Sequence, residues 1–132
     1  MTSSTGGIAV APHHLAAESA REIMREGGNA IEAMIAAAAT IAVVYPHMNA
    51  LGGDGFWLIA EPGQAPRAID ACGASAALAS RAWYADQDVR DRIPNRGPLA
   101  ALTVAGTVSG WQLALQAAAV AGGRLPLSRL LR

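Results

Sequence analysis

The chain has 132 residues with ten basic and ten acidic side chains, a formal net charge of zero at pH 7. That length suits one domain, and the balanced charge excludes the basic footprint of a nucleic-acid binder and the composition of an acidic disordered tail. Hydrophobic residues make up 52%, but 31 are alanines, and the remaining share of about 29% predicts a thin core that depends on close helix packing.

Residues 1–7 are short and polar, without a positive region followed by an apolar run, so no secretory signal is expected. Gly7-Ile-Ala-Val-Ala11 is an apolar run of strand length that ends at Pro12. The next segment, 14–26, reads as an amphipathic helix, with Leu15, Ala16, Ala20, Ile23 and Met24 on one face. Gly27-Gly28 stops it, because glycine takes the left-handed conformation after a helix at little cost. Asn29 then has capping-box spacing to Glu32 and starts a second helix over 30–44. That helix is apolar nearly all round, which predicts a central position with other elements on several sides. Its apolar stretch, 33–44, is about half of what would span a bilayer, so no membrane partner is expected and the protein is placed in the cytoplasm.

Tyr45-Pro46 ends the helix, and a loop runs to Gly55. Residues 56–60 and 67–71 read as two strands joined by a turn at 61–64, a β-hairpin. A short helix is predicted over 76–84 and a polar loop over 86–98. A further helix over 106–121 carries Val108, Trp111, Leu115, Ala118 and Ala119 on one stripe and is closed by Gly122-Gly123. Pro126 falls near the first turn of a last helix, which is cut off at Arg132. An apolar helix start without a continuation reads as part of something longer: residues 1–132 are expected to be an incomplete segment.

The chemistry these residues allow is narrow. The single cysteine, Cys72, excludes a disulfide framework and a cysteine-rich zinc site. The chain has no lysine, which excludes a Schiff base and a P-loop lysine. His13 and His14 are adjacent, so they do not converge on one metal, and hydrogen bonding at a helix start is the better account. Gly52-Gly-Asp-Gly55 suggests a phosphate loop, but it follows a helix and precedes a strand, the reverse of the order that aims a helix N-terminus at phosphate. Asp54 among these glycines is expected to supply turn chemistry, with substrate binding or orientation of a loop as the alternative. Arg90, Arg92 and Arg96 are expected on a solvated loop, and His47 as a structural group.

Five strings in register carry a resemblance. Gly27-Gly-Asn-Ala-Ile-Glu-Ala33, Tyr45-Pro-His47, Leu51-Gly-Gly-Asp-Gly-Phe56, Val104-Ala-Gly-Thr-Val-Ser-Gly-Trp111 and Gly123-Arg-Leu-Pro-Leu127 resemble, in order, motifs of the gamma-glutamyltranspeptidase family. The resemblance implies a portion of a four-layer αββα N-terminal nucleophile hydrolase sandwich, of mixed α/β (α+β) class with helices plus a hairpin. It implies a self-cleaving proenzyme whose small subunit starts with a threonine; that hydroxyl attacks an amide carbonyl, with its own α-amino group as base. This chain matches the N-terminal part of the large subunit. None of Thr5, Thr40, Thr103 or Thr107 falls at the nucleophile's position, so no catalytic residue is expected here and the chain alone is expected to be inactive. Its partners are then the rest of the large subunit, the small subunit and a small-molecule amide, with no cofactor or metal and with a homo-oligomer left open.

Two departures bear on specificity. In gamma-glutamyl enzymes a string like D-F-R-E ends the second hairpin strand, and its arginine holds the substrate α-carboxylate. Here Ala68-Ile-Asp-Ala-Cys-Gly73 sets Cys72 at that place as a substrate-binding candidate, and a thiol lacks the bidentate charged grip of a guanidinium. Asp54 stands where the family usually has glycine. Both lean toward the amidohydrolase side branches, an oxamate amidohydrolase-like branch first and a cephalosporin-acylase-like amidase second. The competing expectation is a non-catalytic structural or interaction module derived from the family.

Overall fold

A computed structural model describes residues 6–132, and the elements run α1 (His14–Arg25), α2 (Ala30–Val44), β1 (Gly55–Ile59), β2 (Arg67–Ala71), α3 (Arg81–Asp86), α4 (Thr107–Val120) and α5 (Leu127–Leu130). Met1 to Thr5, which include one of the threonines above, lie outside the described residues.

Local sequence sets the helix ends. His13 caps α1, its Nδ1 accepting from the Leu15 amide at 3.3 Å, while its ring stacks on His14. At the other end Gly27, with φ +87°, donates to the Met24 carbonyl, and Gly28 donates to that of Ile23. This double bond pattern satisfies two carbonyls that the helix leaves unpaired. The same pattern closes α4: Gly122, at φ +82°, bonds the Ala119 carbonyl and Gly123 that of Ala118. Asn29 and Glu32 form the expected capping box at the start of α2.

The core lies where α1, α2 and α4 meet. Ala16, Ala20 and Ile23 of α1 are buried with Ala33, Ile35, Ala36 and Ala37 of α2, and Ala114, Ala118 and Trp111 of α4 complete the cluster. Alanine at so many positions brings the helices close, and each large side chain buried among them contributes about 1.5–3 kcal/mol. A hydrogen bond of 2.8 Å between the Ser19 and Thr40 hydroxyls also crosses from α1 to α2.

β1 and β2 pair antiparallel, with Gly55 opposite Ala71 and Ile59 opposite Arg67. α4 packs on both strands. Side chains alternate across a strand, so Trp57 and Ile59 join the helix-facing core while Phe56 and Leu58 lie exposed on the other face.

Three expectations are corrected. The run 7–11 is not a strand of the sheet, and Ile8 and Val10 are 86% and 81% exposed. The short helix is α3, five residues later than expected at its start. Ser80 supplies the cap for the Trp83 amide, and residues 74–76 are held by an antiparallel bridge to 102–104. α4 buries Thr107, Gly110, Trp111, Ala114 and Ala118, a face rotated from the expected stripe, with Val108 and Leu113 outside. The rotation follows from β2, because only a residue without a side chain fits where Gly110 meets Ala71. α2 is the central helix expected, packed by α1, α4 and α5, although its fully buried residues stop at Ala37 and Val43 is exposed. Pro126 takes the N-cap position of α5, one place before its first turn.

Candidate functional site

Three backbone segments converge at the entry of β1: the loop at Gly53-Asp54, the exit of β2 at 71–73, and the run 103–107 into α4. The N-cap of α4 is Gly106, which has no side chain to satisfy the first amides. The Gly53 carbonyl does this instead, accepting from the Gly106 amide at 3.0 Å and the Thr107 amide at 2.9 Å. It also accepts from the Thr107 hydroxyl at 2.7 Å. The glycine loop therefore occupies the helix N-terminus with its own oxygen, which agrees with rejecting a phosphate loop here.

Asp54 extends the same junction. Its Oδ1 accepts from the Gly73 amide at 3.2 Å and from the Thr103 hydroxyl at 3.3 Å. The turn-chemistry expectation is corrected, since the bonds of the Asp54 side chain reach across 19 and 49 residues instead of closing a local turn. Asp54 also lines an open groove of about 460 Å³ between α2 and β1, with Met34, Ile41, Met48, Phe56 and Trp57.

Cys72 follows β2 and is exposed. Its amide donates to Asp70 Oδ1 at 2.9 Å. Asp54 holds the thiol above its ordinary pKa, first through a hydrogen bond, with slight desolvation and the charges of Asp54 and Asp70 acting in the same direction. A thiol so held is neutral at physiological pH and a weak nucleophile. Cys72 and Asp54 are brought together, whereas the groove lining includes only Asp54.

The remaining candidates fall into structural roles. The hydroxyls of Thr40, Thr103 and Thr107 are bonded to Ser19, Asp54 and Gly53. His47 packs its ring on Tyr45, centroids 4.1 Å apart. Arg90 makes an ion pair with Asp88 at 3.8 Å, with both side chains largely solvated. Among the described residues no group of three or more His, Cys, Asp or Glu side chains could hold a metal ion, and no helix is long and apolar enough to cross a membrane. Sequence reasoning missed Thr103 and Thr107 as parts of the junction; the signal available was Thr107 directly after a glycine cap.

Comparison with known proteins fits this geometry. The gamma-glutamyltranspeptidase family model matches residues 16–132. The chain belongs to the gamma-glutamyltranspeptidase family. It is 66% identical over 129 residues to the oxamate amidohydrolase proenzyme of Klebsiella pneumoniae, covering 97% of this chain and 24% of that protein. It is 37% identical over 129 residues to the glutathione hydrolase proenzyme of Pseudomonas aeruginosa, covering 96% of this chain and 22% of the relative. Among solved structures, Helicobacter pylori gamma-glutamyltranspeptidase superposes with a TM-score of 0.82 at 30% identity, over 99% of this chain and 37% of that one. The chain therefore spans about a quarter of the length of the two proenzymes and 37% of the Helicobacter pylori chain. The expected fold class holds: helices plus a small antiparallel sheet, a portion of the N-terminal nucleophile hydrolase fold.

Proposed function

We propose that this chain is a large-subunit segment of a self-processing cytoplasmic amidohydrolase acting on a small carboxylate-bearing amide of the oxamate type. The observation that carries the reading is the 66% identity, along nearly the whole chain, to an oxamate amidohydrolase proenzyme. Cys72 supports it: a neutral thiol after β2 gives no cationic grip on a glutamyl α-carboxylate, so it lines the substrate corner without selecting that group. In this reading the nucleophilic threonine belongs to the small subunit, and the isolated 132 residues are inert. The partners are the rest of the large subunit and that small subunit.

The test is ammonia release from oxamate by the full-length protein that carries this chain, alongside release of the amine from a gamma-glutamyl anilide. Oxamate turnover with little glutamyl transfer supports the proposal. Preferred glutamyl transfer overturns the substrate assignment. Failure of the mature protein to expose a new N-terminal threonine overturns the mechanism and favours a non-catalytic module.

A further inference from the structure

The exit of β2 is packed with no room for side chains. A Cβ on Gly73 would lie 1.5 Å from the Val104 carbonyl oxygen, and one on Gly106 would lie 2.0 Å from that of Ala71. Residues 71–73 and 104–106 therefore meet backbone to backbone, and this contact sets where Cys72 projects. Asp54 is bonded to the first segment and to the residue just before the second, through the Gly73 amide and the Thr103 hydroxyl. Its own backbone is fixed in turn, because the Asp54 carbonyl accepts from the Thr107 hydroxyl at 3.2 Å and the preceding carbonyl caps α4.

We propose that Asp54 is a positioning residue: its carboxylate fastens the Cys72-Gly73 segment to the run entering α4, so that the corner after β2 presents one fixed arrangement to the substrate. The role rests on reading that corner as substrate-facing. The charged groups acting on the Cys72 side chain are Asp54 and Asp70, and both keep its thiol protonated. The same carboxylate thus does two things, holding the backbone just after Cys72 and raising the pKa of the Cys72 thiol. A residue of purely local turn chemistry would do neither.

The experiment uses the full-length protein, native, alkylated with iodoacetamide across a pH series and digested with trypsin. The peptide Ala68–Arg81 contains Cys72 and reports its modification alone. Asp54→Asn keeps an acceptor for the Gly73 amide but removes the charge. We expect its alkylation midpoint to fall and its rate at about pH 7.5 to rise about fivefold. Asp54→Gly removes the acceptor too, and amide hydrogen exchange over residues 72–74 should rise about tenfold. An alkylation profile for Asp54→Asn identical to the parent's overturns the proposal, as does unchanged exchange in Asp54→Gly. If the glycine variant fails to fold, the same exchange measured on Asp54→Ala, which removes both carboxylate oxygens without loosening the backbone, still decides. Neither readout depends on which amide is turned over, so a failed oxamate assay overturns the proposed function while this test stands.

Discussion

The carboxylate of Glu32 and the backbone amide of Leu125 are joined by a hydrogen bond of 2.7 Å across 93 residues of sequence. The other carboxylate oxygen accepts from the Asn29 amide, also at 2.7 Å, and Glu32 is 1% exposed. Asn29 completes the knot by donating its side-chain amide to the Ala118 carbonyl at 2.9 Å. The start of α2 and the approach to α5 are thereby fastened to one acidic side chain, and the end of α4 to the Asn29 side chain beside it. Its charge has no cation among its hydrogen-bond partners. Two amide donors and the positive end of α2 offset the cost of burial.

Replacing Glu32 with Ala should cost about 3 kcal/mol, since two amides lose their acceptor in a buried place. Glu32→Gln should cost nearly as much, because one of its two polar atoms becomes a donor facing a donor. Urea unfolding of the protein carrying either change measures this. A loss below about 1 kcal/mol for both would show that the amides find other partners.

A second inter-helix tie joins Glu26, just after α1, to Arg129 in α5. Nε of the guanidinium donates to Oε2 at 2.8 Å, and its Nη2 donates to Oε1. Arg129 holds the Glu26 carboxyl below its ordinary value of 4.5, mainly by hydrogen bonding and also by its charge. A depressed carboxyl pKa in the folded state contributes stability that is fully present above the unfolded value. That contribution is lost as pH falls through the folded value. Arg129→Met should therefore lower the melting temperature at neutral pH and flatten its decline on acidification below about pH 4.5. Equal acid sensitivity in parent and variant would show that the pair carries no linkage.

The helix ends were readable because their determinants are local. Gly27-Gly28 and Gly122-Gly123 each close a helix within two residues of its last turn, and the Asn29–Glu32 box lies within one turn. The family strings were likewise readable, and the comparisons bear them out. What could not be read depends on distant chain. Residues 7–11 have strand composition, but the sheet of the described residues consists of β1 and β2. The buried face of α4 follows from the close approach of Gly110 to Ala71, a contact no helical period encodes. Asp54 invited a local reading as a turn residue, while its partners Gly73 and Thr103 are far along the chain.

Glycine contacts at the β2 exit give a contrast within one small region. Gly73→Ala would force the 104 peptide to move, and should cost at least about 3 kcal/mol or abolish soluble expression. Gly52→Ala, in the loop that caps α4, meets nothing within 4 Å and has no left-handed φ. It should change stability by less than about 0.5 kcal/mol. Thermal melting of the pair measures the difference, and equal melting temperatures would contradict the backbone contact.

Cys72 offers the sharpest separation between lining and chemistry. Asp54 keeps its thiol protonated, and a protonated thiol is a poor nucleophile. Cys72→Ser is nearly isosteric and keeps a neutral polar side chain at the same place. In the full-length protein it should leave kcat for oxamate within about threefold, with any change confined to KM. Cys72→Arg should do more. The guanidinium would meet Asp54 and Asp70, pair with one of them, and release Gly73 from the Asp54 carboxylate. Oxamate KM should then rise, and no glutamyl transfer should be gained while Asp54 remains to neutralise the new charge. Steady-state kinetics with both substrates reads this. A thousandfold loss of kcat in Cys72→Ser would make the thiol a participant in the reaction. Efficient glutamyl transfer by Cys72→Arg would show that the two carboxylates do not capture the new cation.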